Sequence, residues 1–255
     1  MRAHLVFILA IILCIPAIGQ VKIHSHNDYA HAQPFWEAYH QQAYSIEADV
    51  YVVGDSLMVA HNRKDITAGH SLEQMYLKPI AGLFAGNDHH VSADKQYTFQ
   101  LMIDFKDTWD LVYPLLVKTL QPYLDCFDPK RNGKAVSIVI SGNRLPDSAF
   151  HTLPSFIRLD GLPFRNYVSR DLRKVAMISD NFKTYSKWKG VGMLPEADKQ
   201  KLNEVIENAH RQHKLVRFWG APDTEATWRQ LYELGADIIN TDKVASCRQF
   251  FNKQK

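Results

Sequence analysis

Paired histidines and paired carboxylates stand near the start of the chain. His24 and His26 are two positions apart, and so are Glu47 and Asp49. Residues i and i+2 of a β-strand lie on the same face, so each pair is expected to share a face. Ionisable side chains that converge from neighbouring strands are costly to bury unless they bind something. The pattern predicts a proton-transfer pair beside a cation site.

Three acidic residues are the candidate ligands of that cation. Glu47 and Asp49 interrupt an apolar strand, and Asp104 ends another apolar run. Three carboxylates on converging strands favour a hard divalent cation, Mg²⁺ or Ca²⁺, because such ions prefer oxygen ligands. The alternative is that these carboxylates form ion pairs with nearby basic residues such as Lys106.

His26 and His61 are the candidate general base and general acid. Imidazole titrates near neutrality, so one ring can accept a proton while another donates one to a leaving oxygen. His61 stands at the end of a short strand-like segment, residues 59–62. His24 competes for the role of His26: it is either the catalytic histidine itself or a phosphate-binding neighbour. We favour His26.

Three further residues are candidates for substrate binding, and each has a structural alternative. Lys106, two residues after Asp104, either offsets phosphate charge or opens the next loop as a solvated residue. Asn27 either donates to a phosphate oxygen or caps the turn after the first strand. Trp219 either stacks on a substrate headgroup or packs across the mouth of the fold.

Short apolar runs alternate with segments of helical periodicity, which indicates a parallel sheet. Polar residues recur at the carboxyl ends of these runs, where a (β/α)8 TIM barrel carries its active site. Eight such strands in about 235 residues fit a compact TIM barrel in which some helices are short or missing. The predicted strands are residues 21–26, 45–51, 99–104, 136–141, 156–159, 175–179, 215–219 and 238–241. The predicted helices are residues 34–42, 72–84 with a Ser71 cap, 109–120, 196–213 and 224–234 with a Thr224 cap. Apart from the strand at 156–159, residues 154–173 leave room only for loops.

Residues 1–19 have the pattern of a secretory signal peptide: a basic residue, an apolar run too short to span a bilayer, and small residues before Gln20. We therefore predict export to the periplasm or the exterior, and a single domain over residues 20–255. A retained N-terminal anchor is the alternative. Cys126 and Cys247 would remain in the mature chain, either bridged or free and buried.

The composition is that of an ordinary globular protein, with 46% hydrophobic and 22% charged residues. The net charge of +3 is small and not clustered. A nucleic-acid partner therefore has no electrostatic support.

These motifs, in their order along the chain, resemble those of the phosphodiesterase superfamily built on a phospholipase-C-like barrel. The resemblance is greatest to its glycerophosphodiester phosphodiesterase branch. The resemblance implies phosphoric diester hydrolysis, a divalent cation on the three acids, and catalysis by the histidines. It also implies a small-molecule or lipid-headgroup phosphodiester as substrate and transient contact with a membrane surface; no protein partner is implied. The matching segments are His26 (or His24), residues 45–50, His61, residues 103–106, residues 216–219 and residues 234–242.

The chain also departs from that family. The usual His-Arg-Gly is replaced by His-Ser-His-Asn-Asp-Tyr at residues 24–29, the Pro-Glu-Asn-Thr turn is missing, and Asp104 stands where Glu is usual. This variant resembles a subgroup of altered-inheritance-of-mitochondria-like proteins. The spacing from His26 to Glu47 resembles the sphingomyelinase D toxins, so a choline- or sphingolipid-type substrate stays open beside a glycerophosphodiester.

Two other functions compete with this interpretation. The first is an amidohydrolase or polymerase-histidinol-phosphatase-like hydrolase that uses His24 and His26 as metal ligands. Such sites need further histidines at the ends of later strands. The second is a non-catalytic barrel that binds phosphorylated headgroups.

Overall fold

Eight parallel strands close into a barrel, which confirms the predicted TIM-barrel class. The computed structural model describes residues 20–254, so the predicted signal peptide lies outside the described residues. Closure occurs at β1 (Lys22–Ser25), which pairs in parallel with β2 (Ser45–Val53) on one side and with β9 (Ile238–Thr241) on the other. The strands are β1 (Lys22–Ser25), β2 (Ser45–Val53), β3 (Ser56–Val59), β4 (Gln100–Phe105), β5 (Ser137–Gly142), β6 (Ile157–Gly161), β7 (Val175–Asn181), β8 (Val216–Trp219) and β9 (Ile238–Thr241).

One strand lies outside the barrel. β3 pairs antiparallel with β2, and Val53 and Ser56 are register partners, so Gly54 and Asp55 form a two-residue turn. Gly54 has a φ of 56°, the left-handed conformation that such a hairpin turn needs. His61 follows this hairpin, as predicted from residues 59–62, and the hairpin returns it to the carboxyl half of β2.

The helices follow the predicted order, but three of them were not predicted: α4 (Leu124–Phe127), α5 (Ser169–Leu172) and α8 (Val244–Asn252). Of these, α5 is a single turn within residues 154–173, where only loops were expected besides a strand. The segment predicted as one helix over residues 72–84 begins instead with a π-helical stretch, Glu73–Leu77. The helices are α1 (Trp36–His40), α2 (Lys78–Gly86), α3 (Trp109–Leu120), α4 (Leu124–Phe127), α5 (Ser169–Leu172), α6 (Glu196–Arg211), α7 (Glu225–Glu233) and α8 (Val244–Asn252).

Both predicted helix caps make their hydrogen bonds. The Thr224 side chain accepts from the backbone N–H of Thr227, and Ser71 Oγ accepts from the N–H of Gln74 at 3.2 Å. Hydroxyls at these positions satisfy backbone donors that a helix start leaves unpaired. No helix within residues 20–254 combines the length and apolar character needed to cross a bilayer.

A polar layer lies directly above an apolar one inside the barrel. Neighbouring strands keep a common register here, and residues two apart on one strand face the same way. The apolar side chains are fully buried, so the polar groups pack directly against the apolar core on their inner side. The apolar layer includes Met102, Val139 and Met177, and the polar layer includes Asp104, Ser141 and Ser179.

The amino end of the barrel is held by one buried guanidinium. Arg248 of α8 is 4% exposed and donates to the carbonyls of Val21 at 2.8 Å, Gln41 at 3.0 Å and Gln42 at 3.1 Å. Gln42 has a φ of 50°, which is unfavourable for a residue other than glycine, and the hydrogen bond from Arg248 to its carbonyl helps to hold this conformation. Both cysteines in the described residues, Cys126 and Cys247, are free and buried.

We predict that Arg248→Met lowers the free energy of unfolding by about 3 kcal/mol, because three carbonyls lose a charged donor. Urea unfolding measures the change. The matched control is Arg211→Met, since Arg211 is 66% exposed at the end of α6 and pairs only loosely with Glu207; a change within about 0.5 kcal/mol is expected there. Equal stability losses in the two variants would contradict this account.

Candidate active site

A cleft of about 930 Å³ opens at the carboxyl end of the barrel strands. This is the face on which TIM barrels carry their sites. Every site residue predicted from the sequence lines the cleft except His24. The predicted residues that line it are His26, Asn27, Glu47, Asp49, His61, Asp104, Lys106 and Trp219.

Three carboxylates meet on one wall of the cleft. Glu47 and Asp49 project from β2, Asp104 projects from β4, and Asp49 and Asp104 are register partners. One oxygen from each carboxylate lies within 4.8 Å of the others. Burial, and then the neighbouring charge of Glu47, raises the pKa of Asp49 to about 6. Like charges held this close and this deep would be stabilised by a nearby cation.

The donor set fits a hard divalent ion. All three candidate ligands are carboxylates, and oxygen is what Mg²⁺ and Ca²⁺ prefer. The hydrogen bonds to Asp49 use its Oδ2, and within residues 20–254 its Oδ1 has no hydrogen-bond partner. Glu47 and Asp49 are almost fully buried, so their charges are poorly screened by water and would attract a cation strongly.

Lys106 supplies part of the missing positive charge. Its Nζ binds the Asp104 carboxylate and lies 2.9 Å from Asp49 Oδ2. Burial opposes the charge on Lys106, but the two carboxylates outweigh it and raise the lysine pKa. The ion pair weighed as an alternative to metal binding is therefore present for this residue. A bound cation would have to share these oxygens with the ammonium group or displace it.

His24 lies behind the carboxylates and not in the cleft. It is fully buried, its Nδ1 lies 2.8 Å from Ser45 Oγ, and its Nε2 lies 2.7 Å from Glu47 Oε2. The Arg217 guanidinium lies 2.5 Å from the same Nε2. Burial, followed by the charge of Arg217, lowers the pKa of His24 to about 4. His24 is thus placed to orient Glu47, and substrate would meet His26 instead.

His26 faces the cleft with a carboxylate behind it. Its Nδ1 lies 2.7 Å from Asp242 Oδ1, just after β9, and Asn27 Nδ2 donates to the same oxygen at 3.2 Å. Burial opposes a charge on His26, but the Asp242 hydrogen bond, together with the charges of Glu47 and Asp242, outweighs burial and raises the pKa of His26. In the sequence Asp242 lies in the family-matching segment 234–242, but sequence reasoning gave it no role. Its pairing follows from barrel closure, because Ser25 and Thr241 are register partners.

His61 approaches the carboxylates from the β3 side. Its ring is 63% exposed, and its Nδ1 lies 3.7 Å from Asp49 Oδ2 and 3.2 Å from the Tyr29 hydroxyl. His26 and His61 therefore stand on the same cleft as the acidic cluster. Tyr29 is the last residue of the His-Ser-His-Asn-Asp-Tyr segment at residues 24–29, but sequence reasoning gave it no role.

Arg217 is the main residue that sequence reasoning missed. It is 3% exposed inside the barrel on β8, with Nη2 at 3.2 Å from Asp160 Oδ2 and Nη1 at 3.7 Å from Glu47 Oε2. Burial raises the pKa of Asp160 in spite of this guanidinium. The only sequence signal was an arginine within an apolar strand, two residues before Trp219.

The candidate substrate-binding residues lie around the mouth. Trp219 is 40% exposed and makes no aromatic contact with another ring in the described part of the chain. Asn27 adopts a left-handed conformation with φ 48°, and its side chain does not cap the turn Asp28–Ala30. Asn27 therefore does not cap this turn, and the substrate-binding role of both residues stays a prediction. Arg144 adds a half-buried cation to the lining.

Comparison with protein families gives two matches. Residues 15–152, just over half of the chain, match the AIM6-like phosphodiesterase domain. Residues 216–245 match the glycerophosphoryl diester phosphodiesterase family. The second match covers β8, which carries Arg217 and Trp219, and β9 with Asp242 just after it.

Relatives with curated descriptions align over most of the chain. Altered inheritance of mitochondria protein 6 of Eremothecium gossypii is 27% identical over 90% of this chain and 69% of its own length. The Arthroderma benhamiae homolog of that protein is 24% identical over 92% of this chain and 85% of its own length.

Solved structures with a similar fold include a glycerophosphodiester phosphodiesterase and another phosphodiesterase. One from Parabacteroides distasonis has a TM-score of 0.59 at 14% identity and covers 92% of this chain and 99% of its own. An Oleispira antarctica phosphodiesterase in complex with the product sn-glycerol-3-phosphate has a TM-score of 0.53 at 13% identity and covers 92% and 97%. At these identities the likeness establishes a shared barrel fold.

We predict that Asp242→Asn lowers the pKa of His26. The substitution removes the hydrogen-bonded carboxylate that raises this pKa; Glu47 still raises it, but burial and Arg217, which both lower it, remain as well. At neutral pH the protonated fraction of His26 should fall. An NMR pH titration of the His26 ring measures the change.

Asp55→Asn is the control, because Asp55 is exposed in the β2–β3 turn. It should leave the His26 titration unchanged. An unaltered His26 titration in Asp242→Asn would show that the carboxylate does not control this histidine.

Proposed function

The chain belongs to the AIM6-like phosphodiesterase domain family, and from this premise we propose that it is a metal-dependent phosphodiesterase. The proposed substrate is a glycerophosphodiester or a phospholipid-headgroup-type phosphodiester. The observation that carries the proposal is the convergence of three carboxylates and two histidines on one cleft. Export, implied by the predicted signal peptide, is part of the proposal.

The acidic cluster would hold the cation. Glu47, Asp49 and Asp104 offer oxygens close enough together for one ion. A divalent ion bound there would neutralise the negative charge that grows on a non-bridging phosphate oxygen in the transition state. Lys106 would add a second positive charge at the same wall of the cleft.

The two histidines divide the proton transfers. His26 accepts a proton from the attacking hydroxyl, and Asp242, bound to its Nδ1, stabilises the imidazolium that forms. His61 donates a proton to the departing alcohol. The attacking hydroxyl is water or a hydroxyl of the substrate itself, and the second choice gives a cyclic phosphate.

The surroundings of His24 support this function over a histidine-ligated metal hydrolase. Both nitrogens of His24 are already engaged, by Ser45 on one side and by Glu47 and Arg217 on the other. Among the described residues, the group able to hold a metal consists of carboxylates alone.

The test is a panel of glycerophosphodiesters, lysophospholipids, sphingomyelin and phosphatidylinositol, assayed with Mg²⁺, with Ca²⁺ or with chelator. Chelator-sensitive cleavage of a diester with one preferred headgroup is expected, and ³¹P NMR of the product separates hydrolysis from cyclisation. Cleavage of monoesters only would favour a different metal hydrolase. Tight binding without turnover would favour a headgroup-binding protein.

We predict that His26→Ala and His61→Ala each lower kcat by about 10²–10⁴-fold, the usual contribution of a general acid or base. Folding and metal affinity should change little, because neither ring is a candidate ligand. His70→Ala is the matched control, since the His70 side chain is exposed. Wild-type turnover in either active-site variant would remove that histidine from the mechanism.

We predict that Asp104→Asn raises the Mg²⁺ concentration for half-maximal activity at least about tenfold, because one anionic ligand becomes neutral. Calorimetric titration with Mn²⁺ should show the same loss of affinity. Asp110→Asn, at an exposed carboxylate in the first turn of α3, provides the comparison and should bind as wild type does. Unchanged metal dependence in Asp104→Asn would argue against this carboxylate as a ligand.

A further inference from the structure

The hydroxyl of Tyr29 lies at the junction between the acidic cluster and His61. It is 2.7 Å from Asn27 Oδ1, 2.8 Å from Asp49 Oδ2 and 3.2 Å from His61 Nδ1. Each of these three contacts joins the hydroxyl to a residue proposed to bind substrate, hold metal or transfer a proton.

Counting protons decides the direction of these hydrogen bonds. A phenol hydroxyl has one proton and can also accept. Two oxygen acceptors lie closer to it than the histidine nitrogen does, and one of them is a carboxylate, which is the stronger acceptor. The proton is therefore used on Asp49 or Asn27, and the hydroxyl oxygen is left to accept from His61. Accordingly, Nδ1 of His61 carries a proton.

We infer that Tyr29 is a positioning residue that holds His61 in the Nδ1–H tautomer. The role of His61 in turnover rests on the proposed function, whereas its tautomer does not. With Nδ1 turned to Tyr29 and with Asp49 Oδ2 3.7 Å away, Nε2 is the ring nitrogen left for substrate. As the general acid, His61 would start as the imidazolium and give up its Nε2 proton, and the Nδ1–H tautomer is the neutral form that remains. Within the part of the chain that the structure describes, Nε2 has no hydrogen-bond partner.

The segment that carries Tyr29 is rigidly anchored. The adjacent Asp28 is fully buried, and its carboxylate accepts from Ser25 Oγ at 2.8 Å, from the N–H of Phe35 at 2.6 Å and from the Tyr76 hydroxyl at 3.0 Å. These hydrogen bonds of Asp28 fix the backbone position of Tyr29 independently of the contacts that Tyr29 makes with the site.

His61 has no comparable anchor of its own. Its ring is largely exposed, and the Tyr29 hydroxyl makes the one hydrogen bond to this ring among residues 20–254. Without that bond the ring regains rotamer and tautomer freedom, and the population with a correctly placed Nε2 falls. Tyr29 itself does not line the cleft, and Asn27 keeps its hydrogen bond to Asp242 when the Tyr29 hydroxyl is removed, so we expect substrate binding to change little.

The test compares Tyr29→Phe with Tyr51→Phe. Tyr51 is the matched control because its hydroxyl donates to the backbone carbonyl of His61, at 3.2 Å, and not to the ring. ¹⁵N NMR of the neutral imidazole reports the tautomer in the metal-free protein, and steady-state kinetics separate kcat from KM.

We expect the Nδ1–H tautomer of His61 in the wild type and in Tyr51→Phe, and a mixture in Tyr29→Phe. We also expect kcat to fall about 10–100-fold in Tyr29→Phe, with KM changed less than about twofold. An Nε2–H tautomer in the wild type, or an unchanged tautomer in Tyr29→Phe, would overturn the inference. If no phosphodiester is cleaved, the proposed function fails and the NMR result still decides the inference.

Discussion

Mutual repulsion among three carboxylates is the constraint on which the rest of this site depends. Glu47, Asp49 and Asp104 offer oxygens within 4.8 Å of one another, above an apolar floor. Buried like charges at this spacing are unstable unless cations and hydrogen bonds compensate them. The barrel brings the compensating groups from other strands, since Arg217 on β8 reaches Glu47 and Lys106 after β4 reaches the two aspartates.

The negative charges of Glu47 and Asp49 are compensated to different extents by neighbouring groups, and this difference favours a cation site. Burial opposes ionisation of Glu47, but the hydrogen bond and charge of His24, together with Arg217, outweigh it and lower its pKa. Asp49 is less well compensated, since burial and the charge of Glu47 raise its pKa in spite of Lys106. Excess negative charge therefore remains on the cleft side of the cluster. A divalent ion placed there would relieve the repulsion and attract a phosphodiester.

Much of this architecture could be predicted from the sequence, because strand alternation and polar strand ends are local patterns. The eight barrel strands and the cleft-lining residues follow from those patterns. Arg217, Tyr29 and Asp242 could not be assigned, because their roles depend on partners far away in sequence. Arg217 meets His24 across 193 positions, and Asp242 meets His26 across 216. The single turn of α5 shows the same limit, since four residues carry too little periodicity to predict a helix.

Anomalous diffraction from a crystal soaked in Mn²⁺ is the most direct test of the account. A peak is predicted among the oxygens of Glu47, Asp49 and Asp104, with the Lys106 ammonium moved away from Asp49. Crystals at saturating Mn²⁺ that show no peak at these carboxylates, with Lys106 still bound to both aspartates, would contradict it. The cluster would then be a structural ion-pair network and not a metal site.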